Sequence, residues 1–115
     1  MTTIYGIKNC DTMKKALTWL DERGITYDFV DYKKHGADEA VLKQALHEHG
    51  WEAVINRRGT TWRNVPDDIK TTMNTQTAIT IATENPSIIK RPLLAHNGKT
   101  YLGFDAKTYE GIFIT

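Results

Sequence analysis

The chain has 115 residues, 40% of them hydrophobic and 25% charged, with eleven aromatic rings. That is the size and make-up of one globular domain, able to bury roughly two thirds of the surface its unfolded chain exposes, and it excludes intrinsic disorder. The net charge of +1, from 15 basic and 14 acidic residues, excludes a nucleic-acid binder living on bulk electrostatics and a polybasic membrane anchor.

The chain opens with Thr2 to Ile7, short, β-branched and aromatic, which predicts a strand. Lys8 to Thr12 breaks it. Met13, Ala16, Leu17 and Leu20 then recur at helical spacing, with Asp11 and Thr12 as expected caps at the start and Gly24 at the end. Thr26 to Tyr32 predicts a second strand, so a βαβ unit with parallel strands is expected at residues 1–34. Lys33 to Gly36 reads as a loop. Asp38 to His49 reads as a helix with Leu42, Ala45, Leu46 and His49 on one face, and Trp51 to Ile55 continues apolar. Asn56 to Arg63 is polar, basic and glycine-containing, and reads as a loop. Short helices are expected over Asp67 to Met73 and Thr77 to Glu84. Pro92 to His96 and Lys99 to Gly103 flank Asn97-Gly98, the signature of a hairpin closed by a type I′ turn. Asp105 to Ile112 predicts a last helix. The order β-α-β, helices, β-β-α implies a layered α/β domain over 1–115, with its two halves at about 1–34 and 86–115 and a helical insert over about 36–85.

No apolar run approaches the ~18 residues of a membrane span, and Met-Thr-Thr-Ile-Tyr-Gly lacks the pattern of a secretory signal. A soluble cytoplasmic protein with neither membrane nor nucleic acid as partner is expected. Its single cysteine excludes an internal disulfide and a multi-cysteine zinc site, and no metal is expected.

That residue, Cys10, follows a strand and stands at the mouth of a helix. Free amides there favour a thiolate, and thiol pKa values fall from about 8.5 to about 3.5–7.5 in such places. Lys8 and Lys14 push the same way and Asp11 opposes them. The bland alternative is a small buried hydrophobe, which the polar run Lys-Asn-Cys-Asp argues against. Met13 occupies the position where a dithiol oxidoreductase carries its second cysteine, so a redox cycle has to borrow a thiol from outside. Among the arginines, Arg91 stands out because it precedes Pro92 at the hairpin, while Arg57, Arg58 and Arg63 sit in a basic loop. Trp62 reads as packing. His47 and His49 are two apart on a helix and cannot chelate together, and His35 and His96 sit beside turns.

Tyr5-Gly6-Ile7-Lys8-Asn9-Cys10-Asp11-Thr12-Met13-Lys14-Lys15-Ala16 resembles the opening of the arsenate-reductase-like (ArsC/Spx) family, in particular its YffB-type branch. Asn56 to Arg63 and Pro86 to Pro92 resemble later segments of the same branch, in order. The resemblance implies a thioredoxin-like fold with a helical insert, Cys10 as catalytic thiol, Arg57 and Arg91 in its pocket, and Pro92 as a cis-proline facing it. It implies three arginines for arsenate reduction. Phe104 stands at the third position, a departure that weighs against arsenate. Met13 removes the Cys-x-x-Cys switch of Spx-type members. The resulting expectation is a glutathione-dependent thiol reductase working through a mixed disulfide on Cys10. Glutathione is then co-substrate with no tightly bound cofactor, glutathione or a glutaredoxin-type thiol is the donor, and a protein disulfide is a conceivable substrate. Arg57, Arg91, Lys8 and Lys14 are its expected anion-binding residues, with Asp11, Thr12 and Pro92 shaping the site. The alternatives are an arsenate reductase with a reduced arginine set and an Spx-like non-catalytic regulator that binds RNA polymerase.

Overall fold

The computed structural model describes residues 2–114. Strand β1 (Thr2–Gly6) lies at the centre of the sheet, and the period-two alternation of its side chains divides the core in two. Ile4, with Leu94, packs among Met13, Ala16, Trp19, Leu20 and Tyr109 on one face. Tyr5, with Leu93, packs among Leu42, Val54, Ile79 and their neighbours on the other.

Helix α1 (Asp11–Glu22) buries Met13, Ala16, Trp19 and Leu20. Trp19 therefore sits in the buried stripe where Leu17, only half-buried, was expected. Asp11 and Thr12 are first-turn residues rather than caps. The chain stays extended through Cys10 (φ −117°, ψ 129°), which takes the N-cap position itself. Gly24 follows the helix with φ +65°, a left-handed conformation that costs glycine little.

Strand β2 (Asp28–Asp31) pairs parallel with β1. Strands β3 (Leu93–His96) and β4 (Lys99–Leu102) form an antiparallel hairpin on the other side, giving the order β2-β1-β3-β4. Asn97 and Gly98 both have positive φ, 49° and 81°, as a type I′ turn requires.

Between the halves run α2 (Tyr32–His35), α3 (Glu39–His49), α4 (Trp51–Val54), α5 (Thr60–Arg63), α6 (Asp67–Thr71) and α7 (Thr75–Glu84), then a 3₁₀ turn at Pro86–Ile88. The expected loop at 33–36 is instead helical as far as His35, because the Asp31 carboxylate accepts the Lys33 amide at 2.9 Å and caps a turn. Thr60–Arg63 is a further helical turn inside the expected loop 56–63. α6 stops two residues before Met73, and α7 starts two residues before Thr77 because Asn74 caps it, accepting the Thr77 amide. Helix α8 (Ala106–Phe113) starts one residue after Asp105, whose carboxylate accepts the amides of Lys107 and Thr108.

His49 is exposed rather than part of the apolar face of α3. Its Nε2 lies 2.8 Å from the Thr100 carbonyl, and Glu48 accepts the Thr100 amide at 2.9 Å. The end of α3 thus occupies outward-facing backbone groups of edge strand β4, which would otherwise be free to pair with another chain.

This is the thioredoxin-like α/β arrangement, β-α-β and β-β-α halves on one sheet, with helices inserted between them. Among the described residues no helix is long and apolar enough to cross a membrane. Nor does any group of three or more His, Cys, Asp or Glu side chains among them lie where it could hold a metal ion.

Candidate functional site

The site forms where β1 ends and α1 begins. Gly6 closes β1 against α1 so tightly that a Cβ there would lie 2.4 Å from the Met13 sulfur. Met13 is fully buried, and the preceding turn holds Cys10 half-exposed with a free thiol. Position 13 is therefore a core position in this chain, which is why it carries an apolar residue.

Two opposing influences act on the Cys10 thiol. Partial burial raises its pKa. The Met13 amide, a hydrogen bond from Arg91, the Thr12 amide and the charge of Arg91 lower it, and the lowering prevails. Negative charge at this place is what a helix start accommodates, since its first amides lack partners within the helix. Alkylation of Cys10 by iodoacetamide should accordingly follow a pH midpoint below the free-cysteine value of about 8.5. Because the anion is favoured in the folded protein, the midpoint should rise on unfolding; a folded-state midpoint at or above that value would contradict the geometry.

Cys10 opens into a cavity of about 430 Å³ whose wall includes Thr12, Asn56, Lys90, Arg91 and Phe104. The size falls in the ordinary range for small-molecule sites. The Arg91–Pro92 peptide is cis, Pro92 is buried, and the Arg91 Nη1 donates to the Ser87 carbonyl at 2.7 Å. Phe104 stands edge-on to Tyr109, with ring centroids 4.9 Å apart.

The other expected site residues are more dispersed. Arg57 does not line this cavity; it borders an adjoining one, and its guanidinium lies 5.6 Å from the Trp51 ring centre. Lys8 is exposed and lines neither. Lys14 faces a separate groove on α1 with Trp19 and Arg23. The groups acting on the sulfur are thus backbone amides and Arg91, because lysines on long exposed stems are solvated away from it. Asp11 is exposed in the first turn of α1, and Thr12 contributes both its amide and a piece of wall. Trp62 stacks on Trp51 at 6.2 Å, as packing.

Asn56 and Lys90 escaped the sequence reading. An isolated antiparallel bridge between Ile55 and Ile89 brings them together, with the Asn56 amide donating to the Ile88 carbonyl at 2.7 Å and the Lys90 amide to the Val54 carbonyl at 2.8 Å. Apolar Ile55 and Ile88-Ile89 were the available signal, but their mutual pairing is a long-range event.

Known proteins resemble the whole chain. A solved YFFB protein superposes with a TM-score of 0.92 at 46% identity, covering 96% of this chain and 97% of that one. An uncharacterized protein of Haemophilus influenzae is 44% identical over 98% of this chain and 99% of its own length. The global transcriptional regulator Spx of Staphylococcus aureus is 26% identical over 91% of this chain and 81% of its own. With the family model matching residues 5–112, the chain belongs to the ArsC family.

Proposed function

We infer that the protein is a thiol oxidoreductase that works through one cysteine, forming a mixed disulfide between Cys10 and a small anionic thiol such as glutathione. The observation that carries the reading is the Cys10 thiol itself. It is half-exposed at the start of α1, drawn toward the thiolate by the Met13 and Thr12 amides and by Arg91, and faces a cavity large enough for a small molecule. The Cys10 thiolate attacks one sulfur of a disulfide, a new S–S bond forms to Cys10 as the old one breaks, and the departing thiolate takes a proton from water. A second thiol, from glutathione or a glutaredoxin-type donor, then attacks the adduct and restores Cys10. The chain has one cysteine, so it cannot resolve the adduct internally.

Incubation with glutathione disulfide should add one glutathionyl mass and no more, and glutathione or a glutaredoxin should remove it. An adduct that persists in Cys10→Ser, or never forms in the wild type, would overturn the mechanism. The likeness to Spx supports a second, non-catalytic reading. It would be favoured if wild type and Cys10→Ser retained RNA polymerase alike.

A further inference from the structure

The Cys10 cavity has a neighbour with a different character. A second cavity, of about 460 Å³, is walled by Glu52, Asn56, Arg57, Arg58 and Lys90, among others. Asn56 and Lys90 belong to both walls, so the two cavities adjoin around these side chains, whose backbones the bridge between Ile55 and Ile89 sets side by side. Lys90 also reaches the turn after β4. A Cβ on Gly103 would lie 3.2 Å from its Cε and 3.8 Å from its Nζ. Its ammonium therefore stands beside the residue preceding Phe104, on the wall where the family pattern calls for a third arginine.

The charges around the second cavity are specific. Three cations, Arg57, Arg58 and Lys90, share it with one carboxylate, Glu52. Neither of the two ion pairs among the described residues involves any of them. A simple anion would meet Glu52 as a repulsive neighbour. A group carrying both a carboxylate and an ammonium would find a partner for each, and that pairing is what discriminates between ligands of similar size.

We propose that this second cavity is the subsite for the α-amino-acid end of a γ-glutamyl thiol, with Lys90 holding its carboxylate between the two cavities and Glu52 its ammonium. The inference rests on the thiol-exchange reading, which places the sulfur of the same molecule at Cys10. Exchange remains balanced as written above: Cys10 is oxidised to the mixed disulfide and the departing thiol is reduced.

The test measures the rate of adduct formation on the full-length protein by intact mass, with three disulfides. Glutathione disulfide carries carboxylates and ammoniums, deaminated glutathione disulfide (its N-glutaryl analogue) keeps the carboxylates in place without the ammoniums, and hydroxyethyl disulfide is uncharged. Lys90→Gln should lower the rates of both charged disulfides, relative to the uncharged one, by about tenfold or more, the effect of losing one charge-assisted contact. Glu52→Gln should lower only the ratio of glutathione disulfide to its deaminated analogue. Lys99→Gln, an exposed charge on β4 that belongs to neither wall, controls for general electrostatics. The proposal falls if Lys90→Gln leaves the charged-to-uncharged ratio unchanged or lowers it no more than Lys99→Gln does. It falls in its ammonium half if Glu52→Gln leaves its ratio unchanged. Should the wild type react with hydroxyethyl disulfide but no faster with glutathione disulfide, the subsite is refuted while the reactive thiol stands. Failure of Cys10 to react with any of the three refutes the thiol-exchange reading and the subsite with it.

Discussion

Arg91→Ala should slow mixed-disulfide formation at Cys10 by roughly ten- to a hundredfold, the kinetic equivalent of a charge-assisted contact of about 1.5–3 kcal/mol. Arg91 lines the cavity beside Cys10 and lowers the thiol pKa through its donors and its charge. It is half-buried, so its charge is screened less than that of a surface arginine. Its guanidinium is also fixed, Nη1 being held by the Ser87 carbonyl. The alanine variant should therefore show two linked changes: a slower rate and an upward shift of the iodoacetamide midpoint. Arg91→Lys should restore only part of each, since an ammonium lacks the planar fork that the Ser87 carbonyl orients. Arg58 and Arg63 are exposed and absent from the wall around Cys10, so their alanine variants should cost far less. Equal losses at all three positions would show that diffuse positive charge, not a positioned donor, activates the thiol.

Arsenate should be turned over at least about a hundredfold more slowly than by a relative with the full arginine set, a deficit of about 3 kcal/mol. Reduction through a cysteine passes through a thiol-bound arsenic oxyanion, whose charge has to be met by fixed donors in a site that excludes water. Here Phe104 lines the cavity in place of the third arginine that the family resemblance implies, and Asp105 beside it has the wrong sign. The ring packs in a T-shaped pair with Tyr109 and offers an oxyanion no hydrogen-bond donor. Lys90 brings positive charge to the same wall, but its ammonium is a point charge without the planar fork that meets two oxygens of an oxyanion at once. A coupled assay with arsenate, glutathione and glutaredoxin should show little wild-type turnover and a clear gain in Phe104→Arg. That variant loses the ring pair with Tyr109, worth about 0.5–1.5 kcal/mol, so its melting temperature should be read alongside. Robust wild-type turnover with no gain in the variant would assign arsenate as a substrate after all.

Much of this architecture was legible in the sequence because its signals are local. The strand-helix-strand opening, the Asn97-Gly98 hairpin and the placement of Cys10 at a helix start each follow from a few adjacent residues. Two of the segments that depart from expectation share a cause. Asp31 and Asn74 cap helices by accepting amides two and three residues on, and such short-range hydrogen bonds turn polar stretches that resemble loops into helical turns. His49 followed the helical period of its neighbours, yet its surroundings are set by Thr100, 51 residues away.

The candidate site divides along the same line. Adjacent residues are enough to place one cysteine at a helix start without a resolving partner, and Arg91 next to Pro92 in the chain. Which cations stand near that cysteine depends on how distant elements pack. Lys8 and Lys14, close in sequence, point their charges elsewhere, while Arg91, Lys90 and Asn56 reach its cavity from 46 to 81 residues away. Sequence fixes the spacing of residues along an element, and so which of them share its face. The distance between side chains on different elements is set by how those elements pair, here through β1 against β3 and Ile55 against Ile89.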